Sequence, residues 1–290
     1  MNPSVVGAAL AVLFTGMIAA ADGITKLVSG SYDAPQLYAL AAALVALMSL
    51  GAARVSKGES LRIRSVKPMI VRTILTVVAA VAFFQAFRLL PFADVFLFIG
   101  LIPLIAASLS GPLLGETPRP VAWFALSIGA GGVIFLMPGG VSGAQAGHLW
   151  ALIAALSGAV SMLLARVIAK VERAPLAQVF WPNLGLAVAM ALALPFVWKP
   201  MGLMDGVWIL AYAVFLFGAR YVSAEAMRFL PAYVAMPVMN VQFVWMVAIG
   251  IYAFGEVPSF GTIMGVMLVI ASGLYLVAEE SMTKAQSQEV

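Results

Sequence analysis

Side chains able to bind or carry charge are few in this sequence, and several lie inside long apolar runs. Arg220 sits about three residues past the centre of the apolar run 206–228. An arginine at membrane depth marks a functional site by default, because burying its charge is costly. It can meet a solute carboxylate or serve a gate; the bland alternatives are snorkelling to the nearer face or pairing with Glu225. Tyr221 and Glu225 are four residues apart and share a helix face. Asn240 follows Pro237 by three residues inside another apolar run, so its amide is expected to face inward rather than toward lipid. Gln242 stands about 200° around the same helix from Asn240, so the two cannot face one cavity. Gln85 is a further polar residue inside an apolar run, and Phe84, Phe98, Phe243 and Trp245 are aromatic neighbours suited to an apolar solute, although packing is their commoner use. These eight residues, Gln242 excluded, are the candidates for substrate binding.

Catalytic chemistry has little to work with. The chain has one histidine, His148, and no cysteine, and its carboxylates are scattered, so no acid, base or metal cluster is expected. No Walker-type Gly-x-x-x-x-Gly-Lys-[Ser/Thr] motif occurs, which disfavours ATP-driven pumping. We therefore expect no enzyme activity, no metal and no cofactor. Asp22, Arg72, Asp94 and Arg166 lie near the ends of their apolar runs and read as interfacial. Glu116 and Glu256 also lie at run ends, where an ion pair or cap is the plainer reading and gating the sharper one. Pro103 and Pro237 lie inside runs and are expected to kink them, freeing carbonyls that protein or cavity water must satisfy.

The elements that must hold these residues are membrane helices. The chain is 63% hydrophobic and only 10% charged, with many apolar runs of 18 residues or more. The runs are apolar all round rather than alternating, which excludes a β-barrel. Its net charge of +4 belongs to short loops, so it speaks of membrane orientation and not of nucleic acid. Ten spans fit, at about 5–27, 35–53, 68–88, 92–115, 120–138, 147–169, 176–197, 206–228, 232–254 and 260–278. The first resembles a signal peptide around Ala19-Ala20-Ala21, but no basic segment precedes it.

One stretch occurs twice. Residues 88–118 begin Arg-Leu-Leu-Pro and end Gly-Glu-Thr-Pro; residues 228–258 begin Arg-Phe-Leu-Pro and end Gly-Glu-Val-Pro. The offset is 140 at both ends, and Ala34-Pro35 maps onto Ala174-Pro175 at the same offset. The chain therefore divides into two five-span units, 1–140 and 141–280, with a polar tail at 281–290. Five is odd, so the second unit enters the membrane from the opposite side. Such inverted repeats are typical of secondary transporters, with the solute site near the midplane. Lysines and arginines in the loops divide ten to three in favour of both termini being cytoplasmic, the three outer ones being Lys26, Arg88 and Lys199. Gly261-x-x-x-Gly265 and the glycines at 129, 131 and 132 suit close helix packing or a dimer face, so a monomer or a homodimer is expected.

The paired Arg-x-Leu-Pro and Gly-Glu-x-Pro signatures and the short basic loops resemble the drug/metabolite transporter superfamily in its ten-span form, two EamA-type units over about residues 5–278. Among its members the chain looks most like the YddG-type exporters of aromatic amino acids. That resemblance implies a bacterial inner-membrane exporter of small metabolites, with a cavity lined by spans 1, 3, 4, 6, 8 and 9. It carries over no catalytic motif. The alternatives are an exchanger of sugar phosphates or nucleotide sugars, which would want paired basic residues deep in the cavity, and a membrane scaffold or receptor subunit. The expected partners are the bilayer and a small solute, with no nucleic acid. A reporter inserted near residue 143 should lie across the membrane from the amino terminus, and single cysteines in this cysteine-free chain allow that to be read by impermeant labelling; a same-side result ends the two-unit reading.

Overall fold

The structure is a computed structural model and describes residues 3–55, 60–115, 145–229 and 241–257, with scattered positions at 120, 123, 124, 127, 238, 260, 264, 267 and 271. Among these residues there is helix and no strand. The helices are α1 (Pro3–Ser29), α2 (Ala34–Val55), α3 (Val66–Leu89), α4 (Phe92–Ile99), α5 (Ile102–Leu114), α6 (Ala146–Val171), α7 (Pro175–Val197), α8 (Leu203–Phe229) and α9 (Gln242–Phe254). Six of them, α1 to α3 and α6 to α8, are long and apolar enough to cross a membrane. Large apolar side chains face outward along them, among them Leu192, Phe196 and Leu203, as a lipid-facing surface requires. The protein is a multi-pass helical membrane protein. The spans read at 120–138 and 260–278, the start of the one at 232–254, and the small-residue motifs at 129–132 and 261–265 lie outside the described residues.

The run 92–115 is interrupted just before Pro103. It is two helices, α4 and α5, separated at Gly100 and Leu101. Pro103 falls in the first turn of α5, where its missing N–H would have had no helical partner anyway. Gly100 and Leu101 keep right-handed helical torsions, so the two segments continue one helical path interrupted beside the proline; Pro112, further on, lies within α5.

The repeated turn residues have a local physical cause. Gly115 ends α5 with φ +66° and Gly255 ends α9 with φ +65°, the left-handed conformation that glycine adopts without a Cβ penalty. The Leu90 N–H closes α3 onto the Ala86 carbonyl, and Pro91 then caps α4. α6 begins in a reciprocal cap, with the Gln145 N–H donating to His148 Nδ1 at 2.8 Å. The lone histidine thus has a structural task at a helix start.

The long helices pack in three main pairs, α3 with α6, α1 with α8 and α2 with α7. Alanines fill the contacts; Ala11, Ala41, Ala151, Ala154, Ala159 and Ala213 are wholly buried, which lets backbones approach closely. α3 and α6 run antiparallel: Leu89 and Leu90 at the end of α3 lie against Gly147 at the start of α6, while Thr76 meets Ser161 midway at 3.1 Å. α1 and α8 do likewise, with Met17 against Gly218 and Tyr32, just past α1, donating to Asp205 at 2.7 Å.

Polar contacts gather at the two ends of this bundle. At one end Lys26 pairs with Glu256 at 2.6 Å, Arg88 with Asp33 at 2.9 Å, and the Lys199 N–H donates to Gln36 at 3.0 Å. At the other, the Arg64 and Ser65 amides each donate to the Glu172 carboxylate at 2.9 Å, and Trp181 donates to the Leu61 carbonyl at 2.9 Å. Partial burial alone would raise the Glu172 carboxyl, but those amides outweigh it and hold it below the ordinary carboxylate value. A Cβ at Gly147 would stand 2.6 Å from Leu90 Cγ and 3.1 Å from Leu89 Cβ, neither of them a free side-chain tip. Gly147→Ala should therefore cost about 1–3 kcal/mol through overpacking, read as a lowered midpoint of thermal unfolding in detergent.

Candidate functional site

A cavity of about 200 Å³ lies inside the bundle, walled by residues from all three helix pairs. Helical periodicity places its lining. On α3 the stripe is Arg72, Thr76, Ala80 and Phe83; on α8 it is Tyr212, Leu216, Arg220 and Ser223, the same spacing on one helix face. α1 contributes Phe14, Ile18 and Asp22 at intervals of four, and α6 contributes Gly158, Ser161 and Met162. Ile99, Ile102 and Gln242, from α4, α5 and α9, complete the wall with Tyr38 and Leu186. Seven pairs of these residues lie 140 apart in sequence: 18 and 158, 22 and 162, 72 and 212, 76 and 216, 80 and 220, 83 and 223, 102 and 242.

Within the pairs the chemistry differs. Asp22 stands opposite Met162 in sequence register, Arg220 opposite Ala80, and Gln242 opposite Ile102. Gln242 Nε2 donates to Asp22 Oδ2 at 2.9 Å and to Met246 Sδ at 3.3 Å. Arg72, only 7% exposed, donates from Nη1 to Gln178 Oε1 at 2.5 Å, and its backbone carbonyl accepts from Ser161 Oγ at 3.5 Å. The Nε atoms of Arg72 and Arg220 are buried with no acceptor. Tyr38 and Tyr212 set their rings 6.0 Å apart at the wall.

Of the residues proposed from sequence, the structure places Arg220 in the lining. It does not pair with Glu225, which instead holds Arg228 at 2.6 Å and Arg173 at 3.7 Å. α8 continues to Phe229, so Glu225 stands at the helix end among basic residues while Arg220 lies more than a turn inside. Tyr221 stacks on Phe217 at 6.5 Å, with its ring committed to the packing around it. Phe84 is buried edge-on to Tyr38, and Phe243 edge-on to Phe96; both are core residues behind the wall. Phe98 lies 5.9 Å from His148 at the α6 cap. Trp245 is 45% exposed on the outer side of α9, with one ring edge toward Gly16. Gln85 is half-buried and outside the lining. Glu256 forms the ion pair with Lys26. Asn240, Pro237 and Glu116 lie outside the described residues.

Three lining residues correct the sequence reading. Asp22 and Arg72 are not interfacial: α1 extends to Ser29 and α3 begins at Val66, so each lies nearly two turns inside its helix. Gln242, set aside in favour of Asn240, faces the cavity. The signal for Arg72 was present in the sequence. Ala80, the residue 140 before Arg220, shares a helix face with Arg72 eight positions earlier.

Comparison with known proteins bears on fold and class. Residues 145–278 match the EamA-like transporter family, a domain of the drug/metabolite transporter type. The match covers a little under half of the chain. No curated protein matches the sequence. A solved crystal structure, described only as that of a protein, is similar with a TM-score of 0.72 at 20% identity, covering 95% of this chain and 96% of that one. At that identity the likeness is one of fold, and it extends over nearly the whole length of both.

Gln242→Leu would leave the buried Asp22 oxygen without its donor. The expected loss is about 1–3 kcal/mol, seen as a lower unfolding midpoint in detergent, and Gln242→Glu should not restore it.

Proposed function

We propose that the protein is a secondary transporter that exports small carboxylate-bearing metabolites with apolar bodies, amino acids with aromatic or hydrophobic side chains among them, by alternating access around the central cavity. The observation that carries this is a largely apolar cavity between helices of the two halves of the chain, in which the Arg220 Nε is buried without an acceptor among the described residues. A guanidinium offers two parallel donors to a carboxylate. Phe14, Ile18, Phe83, Ile99 and Leu186 supply apolar wall for the remainder of such a solute. The volume of about 200 Å³ is below the roughly 300 Å³ at which drug-sized pockets begin, which favours a solute of amino-acid size.

Two inverted five-span repeats are part of the same proposal. The 140-residue register of the lining supports it, since equivalent positions of both units meet at one cavity. So does the direction of the helices. Arg88 and Asp33 bring the end of α3 to the end of α1, and α6 starts at that same end beside Leu90. α6 therefore runs opposite to α1, the helix 140 residues before it. Lys26, Arg88 and Lys199 gather at one end and Arg64, Lys170 and Arg173 at the other, in keeping with a bacterial inner-membrane location and cytoplasmic termini.

A second reading gains from one observation. An exchanger of phosphorylated solutes calls for paired basic residues in the cavity, and Arg72 joins Arg220 there. Reconstituted protein tested against labelled aromatic amino acids, organic acids and sugar phosphates, with and without a pH gradient, separates the readings. We expect protein-dependent flux that Arg220→Gln reduces by about ten- to a hundredfold, the worth of one charge-assisted hydrogen bond. No flux across the whole panel would overturn the transport reading.

A further inference from the structure

We infer that the cavity selects solutes of net negative charge, a monoanionic carboxylate on an apolar body above all, and that Asp22 is the residue that sets how much charge it takes. The inference rests on the transport reading and narrows it.

The argument is one of charge balance. Among the described lining residues the charged groups are two guanidiniums, Arg72 and Arg220, and one carboxylate, Asp22. Their direct partners do not neutralise them. Arg72 is held by the neutral amide of Gln178, and Asp22 by the neutral amide of Gln242. The Arg220 Nε is buried without an acceptor among the described residues. Other polar groups at the wall, from Tyr38, Thr76, Ser161, Tyr212 and Ser223, are hydroxyls and carry no charge. With each group counted at its ordinary charge, the described lining therefore carries one positive charge in excess, set among largely apolar helices.

In such surroundings an uncompensated charge is expensive, and a counter-charge is worth far more than in water. A monoanion brings the site to neutrality. A zwitterionic amino acid leaves the excess in place, and a cation adds to it. The apolar wall then discriminates among anions, since a sugar phosphate would lay hydroxyls against Ile18, Ile99 and Ile102. A carboxylate whose body is aromatic or branched meets both demands. Replacing Asp22 by a neutral residue raises the excess to two positive charges and should turn the preference toward dianions. Replacing Arg72 by a neutral residue removes the excess and should favour zwitterions.

The test uses solutes that share a phenyl body and differ in charge: phenyllactate, phenylalanine and phenyl phosphate, with glucose 6-phosphate to separate headgroup from body. Uptake into proteoliposomes is measured for the full-length protein, and thermal stabilisation by each solute is measured in detergent. The wild type should take up phenyllactate at least about tenfold faster than phenylalanine, a factor that corresponds to 1.4 kcal/mol. Asp22→Asn should raise the phenyl phosphate to phenyllactate ratio, and Arg72→Gln should raise the phenylalanine to phenyllactate ratio. Phenylalanine moving as fast as phenyllactate, or ratios unchanged in both variants, would overturn the inference. If other solutes move but none of these four does, the inference fails while transport stands. If nothing moves, the transport reading fails, and the detergent measurement still decides charge selection by whether phenyllactate stabilises the protein more than phenylalanine. Where Asp22→Asn does not fold, the Arg72→Gln ratio decides.

Discussion

Charge inside an apolar helix bundle has few places to go, and that constraint shapes the interior of this protein. Arg72, Arg220 and Asp22 cannot be hydrated as they would be at a surface, so the helices around them must supply polar partners or leave atoms unsatisfied. Two amides, Gln178 and Gln242, meet part of the demand. The guanidinium Nε atoms remain without acceptors. Neutral residues of suitable shape would make a more stable core, since apolar replacements of buried ion clusters are often neutral or stabilising. Stability alone gives no account of why the charges are there.

The rest of the bundle is arranged so that these few groups converge. The α3 and α8 stripes present residues at identical spacing, and α1 and α6 do the same on the facing sides. Close packing through alanine and glycine brings the backbones near enough for short side chains such as Thr76 and Ser161 to touch across the interface. The two ends are held by different chemistry. One is stitched by ion pairs between long side chains, the other by a carboxylate gripping backbone amides. The first kind is screened by salt and weak when exposed, whereas the second depends on the carboxylate staying ionised.

Much of the fold was legible because its signals are strong. Apolar runs located the six long helices to within a few residues, and the Arg-x-Leu-Pro and Gly-Glu-x-Pro signatures marked turns that the left-handed Gly115 and Gly255 explain. The break at Gly100 and Leu101 lies within a turn of Pro103, the interruption that the sequence marks. The site was read only in part. Arg220 stands out because it sits mid-span, while Asp22 and Arg72 were obscured by proximity to the ends of their apolar runs. The helices outrun the apolar sequence at those ends, so distance from the end of a run understates depth in the bundle. Gln242 was set aside by placing it and Asn240 on one helix, whereas α9 begins only at Gln242, which lines the cavity.

The interruption between α4 and α5 leads somewhere further. Ile99 and Ile102 sit on either side of it, and both are part of the cavity wall. Phe96, one turn before, is locked against Phe243, while Ala106, one turn after, is buried among Ala11, Leu163 and Met227. Each segment is anchored to its own neighbourhood, so a change of torsion at Gly100 and Leu101 would displace the two isoleucines relative to each other without unseating either anchor. The wall at that point is made of two separately anchored segments.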